Sequence, residues 1–99
     1  MQVRLTEGMF VEETYNLEVS GDSLVFSGPE KPGIRVLFKD LLHFDLEGSG
    51  KTLKRFLLET ASGTYEGRFL SSGDADRMLR VLREKCGGHV DIRLDMEER

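Results

Sequence analysis

Residues 55–88 read RFLLETASGTYEGRFLSSGDADRMLRVLREKCGG, and this stretch decides the predicted fold. Every second residue over 56–60 fits one face of a strand, and every second residue over 65–69 continues the pattern beyond the turn sequence ASGT at 61–64, as in a β-hairpin. Farther on, apolar residues recur three and four positions apart, which is the spacing of one helix face. The stretch therefore predicts a hairpin followed by an amphipathic helix that covers a sheet.

The predicted helix, residues 72–86, carries signals at both ends. Ser71 or Ser72 can cap its N-terminus, and with Ser71 as the cap Asp74 completes a Ser-x-x-Asp pair that resembles a capping box. Gly87 and Gly88 favour a helix end, because glycine adopts the left-handed backbone without a steric clash. The predicted buried face consists of Ala75, Met78, Leu79, Leu82 and Cys86.

The remaining chain is typical of sheet. About seven short strands precede the helix, and alternation over 89–94 predicts one short strand after it, followed by a frayed tail. Residues 53–60 fit both helical and strand spacing, and the turn that follows them favours the strand. Because strands recur every roughly 8–12 residues, the pattern indicates a small antiparallel barrel or sandwich with the helix at its open end.

Two segments carry a resemblance to a known superfold: IRVLFKDLLHFDL at 34–46 and FLLETASGTYEGRFLSSGDADRMLRVL at 56–82. They resemble the pleckstrin-homology-like superfold in its bacterial, GRAM-like form. The resemblance implies a mainly β domain with one helix, in which about seven antiparallel strands form a bent, partly closed barrel capped by a C-terminal amphipathic helix. The short terminal strand is an addition to that pattern, and it suggests either an extra edge strand or an exchange with another subunit.

Length and composition predict one domain over 1–99, with a core at 1–88 and an extra strand and tail at 89–99. The chain is 38% hydrophobic and 32% charged, too apolar for disorder and too charged for membrane insertion. It begins without the basic and then apolar pattern of a secretory signal, so we expect a cytoplasmic protein. Its one cysteine, Cys86, is expected to be a small core residue.

A small basic patch stands against an acidic background. The net charge of −4 argues against a nucleic-acid partner, although residues 51–85 hold 8 basic and 5 acidic residues. Lys51, Lys54 and Arg55 bracket a turn, and Arg68 is expected to lie across the hairpin from the strand at 54–58. Such a patch suits an anionic lipid headgroup or a phosphate, but a solvated strand face is the favoured reading. The basic lipid-binding motif of the resembling family has no match at VEETYN, residues 11–16.

Motifs typical of nucleotide-binding, metal-binding or catalytic sites are weak in this sequence. GSGKT at 48–52 ends like a P-loop, but the position that needs the first glycine is Asp45, so a turn between two strands is predicted. His43 and His89 have no Cys or carboxylate beside them at metal-ligand spacing. No nucleophile, base and orienting group can be assembled. We therefore expect no catalysis, no metal and no cofactor.

Three functions remain as hypotheses. The leading hypothesis is a non-catalytic protein- or peptide-interaction module that forms homo-oligomers through edge-strand pairing. The alternative is binding of an anionic lipid headgroup or phosphate ligand through Lys51, Lys54, Arg55 and Arg68, with peripheral membrane contact but no membrane span. The third is a substrate-binding barrel with enzymatic activity, which requires an apolar pocket holding convergent polar groups.

Overall fold

A computed structural model describes residues 1–6, 12–28, 33–49, 52–86 and 88–97. It confirms a mainly β chain with one helix and a short strand after the helix. A 3₁₀ turn lies between the fourth and fifth strands. Two predicted segments fall outside the described residues: the end of the first predicted strand, at 9–11, and part of a predicted loop, at 29–32. The elements are β1 (Gln2–Thr6), β2 (Glu12–Ser20), β3 (Ser23–Ser27), β4 (Ile34–Leu37), the 3₁₀ turn (Phe38–Asp40), β5 (Leu41–Ser49), β6 (Thr52–Thr60), β7 (Gly63–Phe69), α1 (Ser72–Lys85) and β8 (Asp91–Glu97).

The strands form a single sheet in the order β4-β3-β2-β1-β7-β6-β5-β8. Every neighbouring pair is antiparallel except β5 and β8, which run parallel. The sheet is not closed: β4 and β8 are its two edges in the part of the chain that the structure describes. The prediction that residues 53–60 form a strand is confirmed by β6, which pairs with both β5 and β7.

A short connection forces this sheet to bend. β4 and β5 are six strand-to-strand steps apart in the sheet, yet only the three residues Phe38–Asp40 connect them. In a flat sheet those strands would lie about 29 Å apart, whereas four Cα–Cα steps span at most about 14 Å. The turn also contacts two hairpins: Phe38 N–H donates to the Asp22 carbonyl, and Ala61 N–H donates to the Asp40 carbonyl, both at 2.9 Å. The sheet therefore curls until its first and seventh strands meet at a corner.

The core lies between the curled sheet and the helix. α1 packs against β6 and β7, and its predicted buried face is confirmed, since Ala75, Met78, Leu79, Leu82 and Cys86 are all 8% exposed or less. Phe56 of β6 is central, with its ring centroid 4.9 Å from that of Phe69 and 6.3 Å from that of Phe44. Burial raises the pKa of the Cys86 thiol, which fits an unreactive core residue.

The ends of the last two elements differ in detail from the predictions. Ser71 is the N-cap of α1, but its side chain makes no capping hydrogen bond, so the capping-box pair with Asp74 is not formed. The helix ends at Lys85 and Gly88 adopts a φ of 90°, which is left-handed as predicted. β8 begins two residues later than predicted and continues to Glu97, because the ladder with β5 runs from His43 opposite Asp91 to Ser49 opposite Glu97. The frayed tail predicted at 96–97 is therefore strand.

Gly67 is needed where three strands approach closely. It lies on the inner side of β7, between Phe56 of β6 and Leu5 of β1. A Cβ at this position would collide with the Arg4 carbonyl oxygen and would lie 2.9 Å from Phe56 Cζ and 3.1 Å from Leu5 Cδ2. The missing side chain lets the Phe56 ring cover the strand, an aromatic–glycine pairing that is common in sheets.

We predict that Gly67→Ala lowers the free energy of unfolding by about 1–3 kcal/mol, because the added methyl group overpacks a site bounded by backbone. Urea denaturation measures the difference. Gly73→Ala is the matched control, since its nearest neighbour would be Ser71 Oγ at 3.7 Å. That control should leave stability unchanged or raise it by up to about 1 kcal/mol, because alanine favours a helix. Equal stabilities of Gly67→Ala and the wild type would contradict this account of the packing.

Candidate interaction surfaces

β8 offers an open sheet edge. All seven of its residues pair in register with β5, with no shift along the ladder. In the described part of the chain no strand pairs with its other side. In a β-strand, alternate residues direct their backbone N–H and C=O groups to opposite sides, so part of these groups faces the open edge. The edge can therefore accept a further strand.

The inner side of β8 is apolar and incompletely covered. Ile92 and Leu94 are the register partners of Phe44 and Leu46, which are 1% and 0% exposed, so all four lie on the core side of the sheet. Ile92 is partly buried against the core, whereas Leu94 is 46% exposed. Leu94 therefore continues the apolar inner surface up to the edge, and no described residue lies beyond it in the sheet.

β8 lacks most of the features that keep edge strands from pairing with other strands. Natural edges are blunted by proline, by bulges or by charged residues that point inward. Residues 91–97 contain neither proline nor glycine, and the ladder has no bulge. The described charged residues Asp91, Arg93 and Asp95 lie on the outer side, opposite charged or histidine residues of β5. The inner side thus presents no charge against an incoming strand.

A histidine fastens the start of β8. His43 Nδ1 donates to Asp91 Oδ2 at 3.0 Å, and His43 Nε2 lies 3.9 Å from Asp45 Oδ2. The His43 side chain is 21% exposed and that of Asp91 81%. Asp45 Oδ1 is buried and has no hydrogen-bond partner within the described ranges. His89 lies in the connection before β8 rather than in the predicted strand, where its Nε2 donates to the Phe38 carbonyl at 2.9 Å.

The predicted basic patch is only partly assembled. Arg55 of β6 and Arg68 of β7 are register partners, which is the cross-hairpin placement that the sequence predicted. Lys54 is exposed and is the extra residue at a register shift between β5 and β6. Lys51 lies outside the described residues. Sequence reasoning missed Arg4, which pairs with Arg68 from the other side.

Arg4, Arg68 and Arg55 thus form an arginine row across β1, β7 and β6. Arg68 Nε lies 3.3 Å from Glu12 Oε2, and Arg55 Nη1 lies 3.9 Å from Glu47 Oε1. Both pairs are exposed, so each is worth little in water. No carboxylate pairs with Arg4 among the described residues. Like charges directly opposite each other destabilise a sheet, so the row has a cost that these two carboxylates only partly offset.

A shallow cavity of about 440 Å³ opens beside β1, β2 and β3. Its described lining residues carry no Asp, Glu, His, Cys, Lys or Arg side chain. The described lining therefore offers no carboxylate, imidazole, thiol or cationic side chain, and the cavity gives no support to the hypothesis of a substrate-binding barrel with enzymatic activity. Its lining residues are Gln2, Thr14, Tyr15, Asn16, Ser27 and Gly28.

The remaining motifs have simple structural settings. Ser49 and Thr52, on either side of positions 50–51, are register partners in antiparallel strands, so GSGKT joins two strands as predicted and does not lead into a helix as a P-loop does. Within the described ranges, no three His, Cys, Asp or Glu side chains are grouped as metal ligands. None of the helices described is long and apolar enough to cross a membrane.

Comparison with known proteins adds no family to this description. No protein-family model matches the sequence, and no curated protein is similar to it. The resemblance to the pleckstrin-homology-like superfold therefore stays a prediction, and function has to be argued from the surfaces of the molecule.

We predict that His43→Ala loosens β8, because Asp91 then loses its side-chain hydrogen bond to β5. Hydrogen exchange of those backbone amides at 91–95 that bond to β5 should accelerate by up to about tenfold, the equivalent of about 1.4 kcal/mol, while the unfolding midpoint changes little. Glu59→Ala is the control, because Glu59 lies opposite His43 on β6, away from β8. Unchanged exchange in both variants would show that backbone pairing alone holds the strand.

Proposed function

We propose that this chain is a non-catalytic interaction module that binds an extended polypeptide segment as an additional strand on the outer edge of β8. The carrying observation is the open, seven-residue edge with half-exposed Leu94 on its inner side. Backbone hydrogen bonds give such a complex its affinity, and alternate side chains give it specificity. The proposal keeps the predicted pleckstrin-homology-like fold, which serves mainly for docking, and the predicted cytoplasmic location.

β8 is a better acceptor than the other edge. β4 has four residues, Ile34–Leu37, and β8 has seven, Asp91–Glu97. Each backbone hydrogen bond contributes about 0.5–1.5 kcal/mol net, so a longer ladder gains more. Leu94 adds apolar area that is 46% exposed in the free chain. The fitting segment therefore has an apolar residue opposite Leu94 and charged residues flanking it on the outer side, opposite Arg93 and Asp95.

A displayed library of random nine-residue peptides tests the proposal. The wild type should enrich peptides in which apolar and charged residues alternate, and Leu94→Lys should fail to bind them. An inward-pointing lysine on an edge strand prevents a further strand from pairing with it. Leu42→Lys is the matched control: Leu42 is 52% exposed, but it lies on β5 and not on the edge. N-methylation of the selected peptides should abolish binding at every second residue, since only alternate N–H groups bond to the sheet.

Two results would contradict strand addition at this edge. One is enrichment of peptides that bind Leu94→Lys as well as they bind the wild type. The other is binding that tolerates N-methylation at every position. A stable fold of Leu94→Lys, checked by its circular dichroism and unfolding midpoint, is required for either comparison.

Anion binding is a second candidate function, favoured by the arginine row. Arg4, Arg68 and Arg55 are directly opposed on neighbouring strands, and such neighbours lie about 5 Å apart at Cβ. A bound phosphate group would relieve their repulsion through charge-assisted hydrogen bonds. Lys54 is exposed close to the same end of β6 and is a further cation for this ligand.

Neutralisation distinguishes this candidate from general charge effects. Arg4→Gln/Arg55→Gln/Arg68→Gln should lose binding to pyrophosphate, or to phosphatidylcholine vesicles that contain phosphatidylserine, by at least about tenfold at low salt. Arg77→Gln/Arg80→Gln/Arg83→Gln removes the same charge from the exposed side of α1 and should retain it. Calorimetry with pyrophosphate and vesicle co-sedimentation separate a free phosphate from a lipid surface. Equal binding by both triple variants would remove the row as a site.

A further inference from the structure

We infer that the strand received by β8 is β8 of a second copy of this chain, paired antiparallel about a two-fold axis at Leu94. The inference rests on the proposed function and names its partner. The result would be one sheet of sixteen strands, eight from each copy. It follows from the order of charges along β8 and from the place of Leu94 in that order.

Symmetry limits the possible registers. If the axis is perpendicular to the sheet, the inner side of one copy continues into the inner side of the other, and directly opposed residues share a side. Near the middle of Asp91–Glu97 the axis can then pass position 93, 94 or 95. Position 94 is the midpoint of the strand, so this register alone pairs all seven residues with their counterparts.

The charges at the centre of the ladder favour the same register. With the axis at 94, Arg93 of each copy lies opposite Asp95 of the other, which gives two complementary pairs. With the axis at 93, Arg93 faces Arg93 and Asp91 faces Asp95. With the axis at 95, Arg93 faces position 97, but Asp95 faces Asp95 at the centre and only five residues of each strand are paired. Opposite charges directly across a ladder stabilise it and like charges destabilise it. In the favoured register, the acidic positions 91 and 97 meet only at the two ends of the ladder, where water screens them.

Apolar burial points the same way. Leu94, 46% exposed, would lie opposite its own counterpart at the axis, on the core side of both sheets. Each leucine would cover the other, which provides the missing neighbour beyond the edge. In the single chain Arg93 Nε bonds Asp95 Oδ1 at 3.2 Å, with the side chains 67% and 41% exposed. Both groups therefore remain accessible to a second copy.

A charge-exchange pair of variants tests the register. Arg93→Asp alone places two carboxylates opposite each other at both central pairs, and Asp95→Arg alone places two guanidinium groups there. Each variant should sediment as a monomer of 11.2 kDa, while the wild type reaches twice that mass as its concentration rises. Mixed in equal amounts, the two variants should form a heterodimer, because both central pairs are then complementary.

This mixing experiment separates association from a merely structural effect. Within each variant the bond between positions 93 and 95 of one chain is lost, and mixing cannot restore it. Only pairing between copies can rescue the mixture. A mixture that stays monomeric, or single variants that dimerise like the wild type, would overturn the inference.

A cysteine scan locates the axis independently. Under mild oxidation Leu94→Cys should form a covalent dimer, since a residue on the axis lies about 5 Å from its counterpart at Cα. Arg93→Cys and Asp95→Cys should not, since their counterparts lie about 8 Å away, beyond the reach of a disulfide. The wild type controls for Cys86, which is buried and has a raised thiol pKa. Cross-linking strongest at 93 or 95 would overturn the register.

The two proposals can fail separately. If the wild type is monomeric at all concentrations but still selects peptides that Leu94→Lys rejects, β8 accepts a foreign strand and the second copy is not its partner. If both association and peptide selection are absent, strand addition itself is wrong. If Leu94→Lys abolishes self-association and Leu42→Lys does not, the edge and its occupant are both supported.

Discussion

The corner between β4 and β5 is the constraint on which the rest of the structure depends. Three residues, Phe38–Asp40, connect strands that are six steps apart in the sheet. No flat sheet can satisfy so short a connection, so the strands curl around the apolar side chains and enclose them. The hydrogen bonds from Phe38 to Asp22 and from Ala61 to Asp40 then fix the corner against the two hairpin turns. The helix completes the core by covering β6 and β7.

The strand after the helix changes which edge the molecule presents. α1 carries the chain across the core, and β8 returns beside β5 in the parallel direction, which requires a crossover of this length. β8 thereby satisfies the free side of β5 and exposes its own. His43 holds the start of β8 through its hydrogen bond to Asp91, and His89 holds the preceding connection through its hydrogen bond to the Phe38 carbonyl. The β8 edge is thus an addition to the curled core, and its ladder with β5 holds it there.

Charge on the outer side follows from strand neighbours rather than from local sequence. Arg4 and Arg68 are far apart in the chain, and they become neighbours because β1 pairs with β7. The same pairing requires glycine at position 67, where Phe56 and the Arg4 carbonyl approach. One contact between distant strands therefore creates both the close approach at Gly67 and the arginine row. The four residues predicted as a patch, Lys51, Lys54, Arg55 and Arg68, did not include Arg4 for this reason.

The sequence by itself determined the elements and the side of each that faces the core. Alternation with a period of two identified the strands, and the spacing of Ala75, Met78, Leu79, Leu82 and Cys86 identified the buried helix face. It could also place Arg68 across the hairpin from the strand at 54–58, because a tight hairpin pairs its own two strands, and the structure then put Arg68 opposite Arg55. Only the tertiary structure decided that β8 pairs with β5, that it extends to Glu97 and that Leu94 ends half-exposed. The physical reason is that alternation encodes which side of a strand is buried but not which strand lies beside it. That choice depends on the long-range packing that curls the sheet around its core.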